Sequence, residues 1–329
     1  MARYLLLFCL LASSLLLDSC KRQTFYNDGC YSFPDVTTIS YNGNDNISNV
    51  LFNPLDPNEL IIDQGNVDEN ATTHCNIIGY NILEGSRRLI VRVCSGMPTI
   101  TIDNDGWIYY RDYSLGGDGT GFQRVMADQS GIIEDYSTDY YILKVVPNGH
   151  GQYYAGRVID TVDKGPIHNP VYTKVFNNTF QTLKDIPFGT HNIQDVFEEG
   201  QSFISSNTIA LFRYDLPTDS FYQILDLKAS IDKNIYLYSA ILKNNYEVFL
   251  STDEGIYLYN LENGELRHVH TSCMTNLYKI TDKQGDEFCG YTEKVYKSKG
   301  EYLWKYQPFL ATYDEDKHKL RITELPFDW

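Results

Sequence analysis

Leu258-Tyr259-Asn260-Leu261-Glu262-Asn263-Gly264 reads as the end of one strand, a turn and the approach to the next strand. Apolar residues lead into a tyrosine, an amide follows, and Asn and Gly then punctuate the chain as turn formers do. The same form stands at Gly79-Tyr80-Asn81-Ile82-Leu83-Glu84-Gly85, at Arg213-Tyr214-Asp215-Leu216-Pro217-Thr218-Asp219 and at Thr312-Tyr313-Asp314-Glu315-Asp316. Tyr214, Tyr259 and Tyr313 are 45 and 54 residues apart, whereas Tyr80 precedes Tyr214 by 134, about three such periods. Degenerate copies fill the gap at Val125-Met126-Ala127-Asp128-Gln129-Ser130-Gly131 and Lys174-Val175-Phe176-Asn177-Asn178-Thr179.

A second hairpin precedes several copies, as in Thr101-Ile102-Asp103-Asn104-Asp105-Gly106-Trp107-Ile108-Tyr109-Tyr110 and in Val248 to Tyr257. Two hairpins per period make a four-stranded sheet, and a repeating unit of that kind buries its faces against its neighbours. The expected fold is therefore all-β: a six-bladed β-propeller of four-stranded antiparallel blades spanning residues 47–329. Two stacked sandwiches are the alternative, but they supply turn signals without a period near 45 residues. Ring closure is expected from a strand at Arg321 to Leu325 sharing a blade with one near Ile47 to Phe52, which removes exposed edges. The best helix candidate is short, around Ile193 to Glu199.

Composition agrees with strands. The chain has 27 tyrosines, with Ile, Val, Phe and Thr in short runs broken by Asn, Asp and Gly. The formal net charge of -16, with no run of Lys and Arg, argues against nucleic acid as a partner.

The N-terminus is organised for export. Arg3 precedes an apolar run from Tyr4 to Leu17 that is too short to span a bilayer, and residues 1–19 read as a signal peptide. Leu17-Asp18-Ser19-Cys20 resembles the lipobox of bacterial lipoproteins, which implies acylation of Cys20 and a polar tether over residues 20–46. The expected location is the cell envelope, as an outer-membrane lipoprotein facing the periplasm or the surface, with the membrane touched only through the anchor. The alternative is a plainly secreted protein in which Cys20 pairs with Cys30. The sequons at Asn46, Asn70 and Asn177 matter only in a eukaryotic secretory pathway and are expected to be unmodified.

Asn53-Pro54-Leu55-Asp56-Pro57-Asn58-Glu59-Leu60-Ile61 resembles the opening hairpin of TolB-like propellers, and Asn104-Asp105-Gly106-Trp107-Ile108 is similar to the corresponding turn one blade on. The resemblance, to TolB-like and WD-like propeller lipoproteins of bacterial envelopes, covers residues 47–329. It implies the fold and an extracytoplasmic habitat. The α/β domain that precedes the propeller of TolB itself has no counterpart in the stretch from Lys21 to Asn46.

Chemistry-bearing patterns are sparse. No G-x-S-x-G elbow is present. Asp103, Asp105, Asp160 and Asp163 are available for paired-carboxylate chemistry, but turn positions account for them better. Asp103-Asn104-Asp105-Gly106 lacks the length and terminal Glu of a calcium loop, and Gly116 to Gly121 has no helix or Lys after it to hold a phosphate. His268 and His270 share a strand face near Cys273, which is a metal pair without a third ligand in register. No cofactor, metal or catalytic residue is expected.

Two disulfides are expected. Cys75 and Cys94 average to the centre of the turn Glu84-Gly85, so without a bulge they oppose one another; Cys273 and Cys289 form the second pair. Candidate binding aromatics are Trp107, Tyr109, Tyr110, Tyr113, Tyr153 and Tyr154. The reading is a non-catalytic module that binds an envelope protein or glycan. The competing reading is an envelope glycosidase or lyase with carboxylates in the channel.

Overall fold

The computed structural model describes residues 46–67, 73–94, 100–110, 122–128, 132–136, 140–148, 151–159, 171–176, 181–186, 192–197, 202–231, 235–272, 276–298 and 301–327. These residues form four-stranded antiparallel sheets, each with its strands in chain order. Sheet 1 holds β1 (Asn46–Phe52), β2 (Glu59–Val67), β3 (Thr73–Asn81) and β4 (Arg87–Cys94). Sheet 2 holds β5 (Thr101–Ile102), β6 (Trp107–Tyr110), β7 (Phe122–Met126) and β8 (Ile133–Tyr136). Sheet 3 holds β9 (Tyr140–Asn148), β10 (Gly151–Ile159), β11 (Val171–Phe176) and β12 (Thr182–Ile186). Sheet 4 holds β13 (Asn192–Val196), β14 (Ser202–Ser206), β15 (Ala210–Asp215) and β16 (Ser220–Asp226). Sheet 5 holds β17 (Leu237–Leu242), β18 (Glu247–Thr252), β19 (Gly255–Asn260) and β20 (Leu266–Thr271). Sheet 6 holds β21 (Asn276–Gln284), β22 (Glu287–Ser298), β23 (Glu301–Asp314) and β24 (Lys319–Glu324).

Hydrophobic burial explains why sheets of this composition stack around an axis. The two middle strands of sheet 5, Glu247–Thr252 and Gly255–Asn260, are buried along almost their whole length because both of their faces meet neighbouring sheets. Outer strands such as β24 alternate exposed and buried positions instead. The core is accordingly divided among the seams. Ile204, Leu211, Leu242 and Leu250 fill the seam of sheets 4 and 5, while Phe249, Ile280, Phe288 and Phe309 fill that of sheets 5 and 6. Ile61, Ile77, Ile108 and Val125 join sheets 1 and 2. Each fully buried side chain of this size contributes about 1.5–3 kcal/mol.

The repeated Tyr-Asn/Asp element sits at the end of the third strand of its sheet: Tyr80 in β3, Tyr214 in β15, Tyr259 in β19 and Tyr313 in β23. The physical reason is visible in two of them. Tyr80 and Tyr259 donate their hydroxyls to backbone carbonyls of the preceding sheet's outer segment, Pro326 at 2.7 Å and Ile224 at 2.8 Å. The following amide caps the turn, Asn81 Oδ1 accepting from Leu83 and Glu84 and Asn260 Oδ1 from Glu262 and Asn263. The fifth residue after the tyrosine is left-handed in each copy. It is Gly85 and Gly264 in two copies, but Asp219 (φ 53°) and His318 (φ 51°) in the other two.

Three expectations are corrected. Among the described residues the strand Lys319–Glu324 pairs with β23 alone and β1 with β2 alone, so these two strands share no sheet. Sheets 6 and 1 are joined by side chains instead. Leu325 and Phe327, just past β24, are buried in the seam with Ile47, Ile62 and Tyr80, and the Arg87 guanidinium lies 4.0 Å from the Phe327 ring centre. The stretch proposed as a helix, Ile193 to Glu199, begins instead within strand β13, and the helix among the described residues is α1 (Leu227–Ile231). Burying Ile193 and Val196 against Phe203 and Tyr214 on a pleated surface overrides the weak helical pattern.

The third correction concerns the first disulfide. Tyr80 pairs with Arg87, and a bulge between Ile77 and Ile78 then sets Cys75 opposite Val93 and Cys94 opposite His74. The two positions are therefore offset by one residue and not directly opposed, as the expected pairing required. Cys75 is a buried thiol, pushed up to about 12 by burial and by the nearby Asp63 carboxyl. Cys289 is likewise a buried thiol, its Sγ donating to Val50 O at 3.4 Å across the seam of sheets 6 and 1. Its expected partner Cys273 lies outside the described residues, as do Cys20 and Tyr113.

Candidate functional site

The innermost strands leave a cavity of about 280 Å³ at one mouth of the axis. Its apolar walls include Leu51, Phe52, Ile102, Val145 and Val196, and its acidic groups are Asp103, Asp195 and Asp282. A pocket with apolar walls and a few convergent polar groups is the natural place to look for a ligand.

The acids are there because of how the inner strands are built. Four of these strands carry a bulge after an aliphatic residue: Ile47 before Asn49, Ile193 before Asp195, Leu237 before Ser239 and Ile280 before Asp282. The bulge turns the following polar side chain toward the next sheet. Asn49 Nδ2 donates to Ile100 O at 3.0 Å, and Ser239 Oγ donates to Ile280 O at 2.7 Å. Asp195 Oδ2 accepts from Leu242 N at 2.8 Å, and Asp282 Oδ2 accepts from Phe52 N at 3.1 Å. Leu242 and Phe52 each stand three residues past the bulge position of their own strands, so these two bonds are equivalent around the ring. In sheet 2 the corresponding acceptor is Thr101 Oγ1, which takes Val145 N at 3.0 Å.

The carboxylates at the mouth are thus engaged by backbone. Asp195 Oδ1 also accepts from its neighbour Val196 N at 2.8 Å. Asp103 is buried and holds the β5–β6 turn: Oδ1 accepts from Asp105 N and Trp107 N, and Oδ2 from the Tyr109 hydroxyl at 2.8 Å. Burial raises its carboxyl above the ordinary range despite those bonds. Lys283, the lining cation, directs its ammonium to Lys243 O at 3.1 Å. The carboxyl most displaced toward neutrality is elsewhere. Asp63 in β2 is fully buried, accepts the Ser48 hydroxyl and rises to about 7 through desolvation, with its Oδ1 unpartnered. Solvent and substrate do not reach it.

Of the aromatic candidates, three are described with their side chains. Tyr109 and Tyr110 are buried, and Tyr110 belongs to the core joining sheets 1 and 2. Trp107 is partly covered by the Arg124 guanidinium, 4.0 Å from its ring centre. Tyr153 and Tyr154 occupy consecutive positions on β10, in register with Val146 and Val145. Asp160 and Asp163 lie outside the described residues. His268 and His270 flank a bulge; His268 stacks on Tyr257 and His270 meets Tyr278 edge-on, each at 4.5 Å. Burial pushes His270 down to about 4, so the ring is neutral at pH 7. Among the described residues no three His, Cys, Asp or Glu side chains are grouped to hold a metal.

Sequence reasoning passed over Asn49, Asp195, Ser239 and Asp282. Their shared signal is an aliphatic residue, any residue, then Asn, Asp or Ser, and in a chain with 43 acidic residues a pattern that short does not stand out.

No protein-family model matches the chain, and no curated protein sequence matches it significantly. Solved structures do. The acylaminoacyl peptidase of Pyrococcus horikoshii superposes with a TM-score of 0.51 at 10% identity, over 87% of this chain and 52% of that one. An acylaminoacyl peptidase in complex with Z-Gly-Gly-Phe-chloromethyl ketone gives 0.50 at 11% identity, over 84% of this chain and 52% of that one. The chain spans about half the length of these peptidases. At such identity the likeness shows the fold, and the chain is an all-β propeller of four-stranded antiparallel blades.

Proposed function

We propose that this protein is a non-catalytic binding or scaffolding propeller of the cell envelope, closed as a six-bladed ring and held to the membrane through an acylated Cys20. The observation that carries the reading is the engagement of the axial carboxylates. Asp195 and Asp282 accept hydrogen bonds from the backbone of the next blade, and Asp103 clamps a turn. A general acid or base must be within reach of substrate and have its lone pairs or proton available. Structural acceptors of this kind favour a rigid platform over a hydrolytic channel. The likeness to peptidases covers about half of their length, and the G-x-S-x-G elbow expected of serine hydrolases is absent from this sequence.

The test is a pull-down from cell envelopes with the mature protein, run beside a glycan array and a polysaccharide-hydrolase screen. A stoichiometric protein or glycan partner without turnover supports the reading. Polysaccharide cleavage that Asp195→Asn or Asp282→Asn abolishes overturns it in favour of an envelope glycosidase or lyase.

A further inference from the structure

We propose that the rim of sheets 1 and 2, beside the axial cavity, docks an amphipathic basic segment of a partner protein, aliphatic on one side and bordered by Lys or Arg. The inference deepens the binding-module reading and rests on it. Four aliphatic side chains are solvent-exposed at one end of these two sheets: Leu55 (46%), Leu83 (76%), Ile132 (53%) and Ile133 (42%). A single exposed aliphatic residue is ordinary, whereas a connected group on one face marks an interaction surface.

Backbone bonds and one side-chain contact bring the turns that bear these residues side by side. Asn58 O in the β1–β2 turn accepts Ile82 N at 2.8 Å, which brings the turn bearing Leu55 against the turn bearing Leu83. Leu55 reaches across the seam: its Cδ1 lies 2.4 Å from where a Cβ on Gly106 would stand, so the glycine is the seat of the leucine. Gly106 O in turn accepts Ala127 N at 2.9 Å, at the start of the connection leading to Ile132 and Ile133. The patch adjoins the axial mouth, because Pro54 and Asn104 from the same two turns line the cavity.

Charge selects the occupant. Asp56, Glu84, Asp105 and Asp128 stand in the same turns, the last three exposed. The neighbouring cations are already engaged, Arg88 with Glu59, Arg124 with Glu134, and Arg87 over the Phe327 ring. A chain of net charge -16 that borders an aliphatic surface with carboxylates complements Leu/Ile anchors flanked by Lys or Arg. A neutral glycan needs no such border and finds no exposed aromatic ring among the four anchors.

The probe is a synthetic Leu/Lys peptide with its leucines at helical spacing, measured by fluorescence anisotropy against the full mature chain, with a Leu/Glu peptide of the same spacing as control. The expected result is binding of the Leu/Lys peptide alone, weakened by added NaCl and weakened about tenfold or more by Leu83→Asp with Ile132→Asp. Tyr246→Asp, an exposed aromatic on sheet 5, leaves it unchanged. Should the double variant lose the wild-type melting transition, Asp56→Asn with Glu84→Gln takes its place and is expected to weaken binding and flatten its salt dependence. Equal binding of both peptides, wild-type affinity in the patch variants, or an equal loss in Tyr246→Asp overturns the proposal. Polysaccharide turnover would sink the binding-module reading while leaving the peptide result standing, so the two failures are distinguishable.

Discussion

Asp63 makes the stability of this propeller depend on pH in an unusual direction. Its carboxyl rises from an ordinary 3.8 to about 7 because it is desolvated, with the Ser48 hydroxyl as the opposing influence. The folded state therefore prefers the protonated acid. The contribution is complete below the unfolded value, near pH 4, declines as pH rises, and is fully lost above about pH 7. Such a displacement corresponds to a few kcal/mol over the whole range, more than half of it between pH 5 and pH 8. Asp63→Asn keeps an acceptor for Ser48 and the side-chain volume but cannot ionise. Urea unfolding of both proteins at pH 5 and pH 8 isolates the effect: wild type is expected to lose about 2–3 kcal/mol relative to the variant on going to pH 8. Parallel pH dependence in the two proteins would refute the assignment of a neutral buried acid, and a relative gain by wild type at pH 8 would reverse its sign.

Other outcomes follow from single contacts. Gly290→Ala is expected to prevent folding, since its Cβ would stand 1.9 Å from Lys279 O in the paired strand, whereas Gly285→Ala, with open space but φ +59°, should cost only about 1 kcal/mol; thermal melts of the two compare them. Phe327→Ala removes a buried ring from the seam of sheets 6 and 1 and should cost about 3–5 kcal/mol by chemical denaturation. His318→Gly relieves a left-handed non-glycine residue and should stabilise by roughly 1 kcal/mol, with a higher melting temperature. Intact-mass measurement of the mature protein is expected to find a diacylglyceryl group on Cys20, and a Cys20 to Cys30 bridge in its place would remove the anchor.

The blade repeat was legible because Tyr80, Tyr214, Tyr259 and Tyr313 serve one local purpose, ending a third strand and introducing a capped turn. Local chemistry of that kind leaves a trace in the sequence at a fixed spacing. Register did not, because a bulge between Ile77 and Ile78 inserts a residue without any composition that announces it, and it moves Cys75 and Cys94 out of direct opposition. Two of the aromatic candidates were hard to place for a related reason. Tyr109 and Tyr110 are adjacent and point to opposite faces of β6, yet both faces of a middle strand are covered, so neither is presented to a ligand. What draws attention at the surface, Leu55, Leu83 and the Ile132-Ile133 pair, is unremarkable residue by residue and becomes a group only when turns of two sheets are brought side by side.

Each sheet takes its strands from one uninterrupted stretch of chain, and the seam between the last sheet and the first is closed by side chains and the segment Leu325 to Phe327. The unit of pairing therefore coincides with a unit of synthesis. A blade emerging from the ribosome can complete its own hydrogen-bond ladder before the next is made, and only the final seam must wait for both ends. The same property makes the blade connections natural places for rearranged genes to begin: a circular permutant opened between two sheets divides no ladder, whereas one opened inside a sheet divides it.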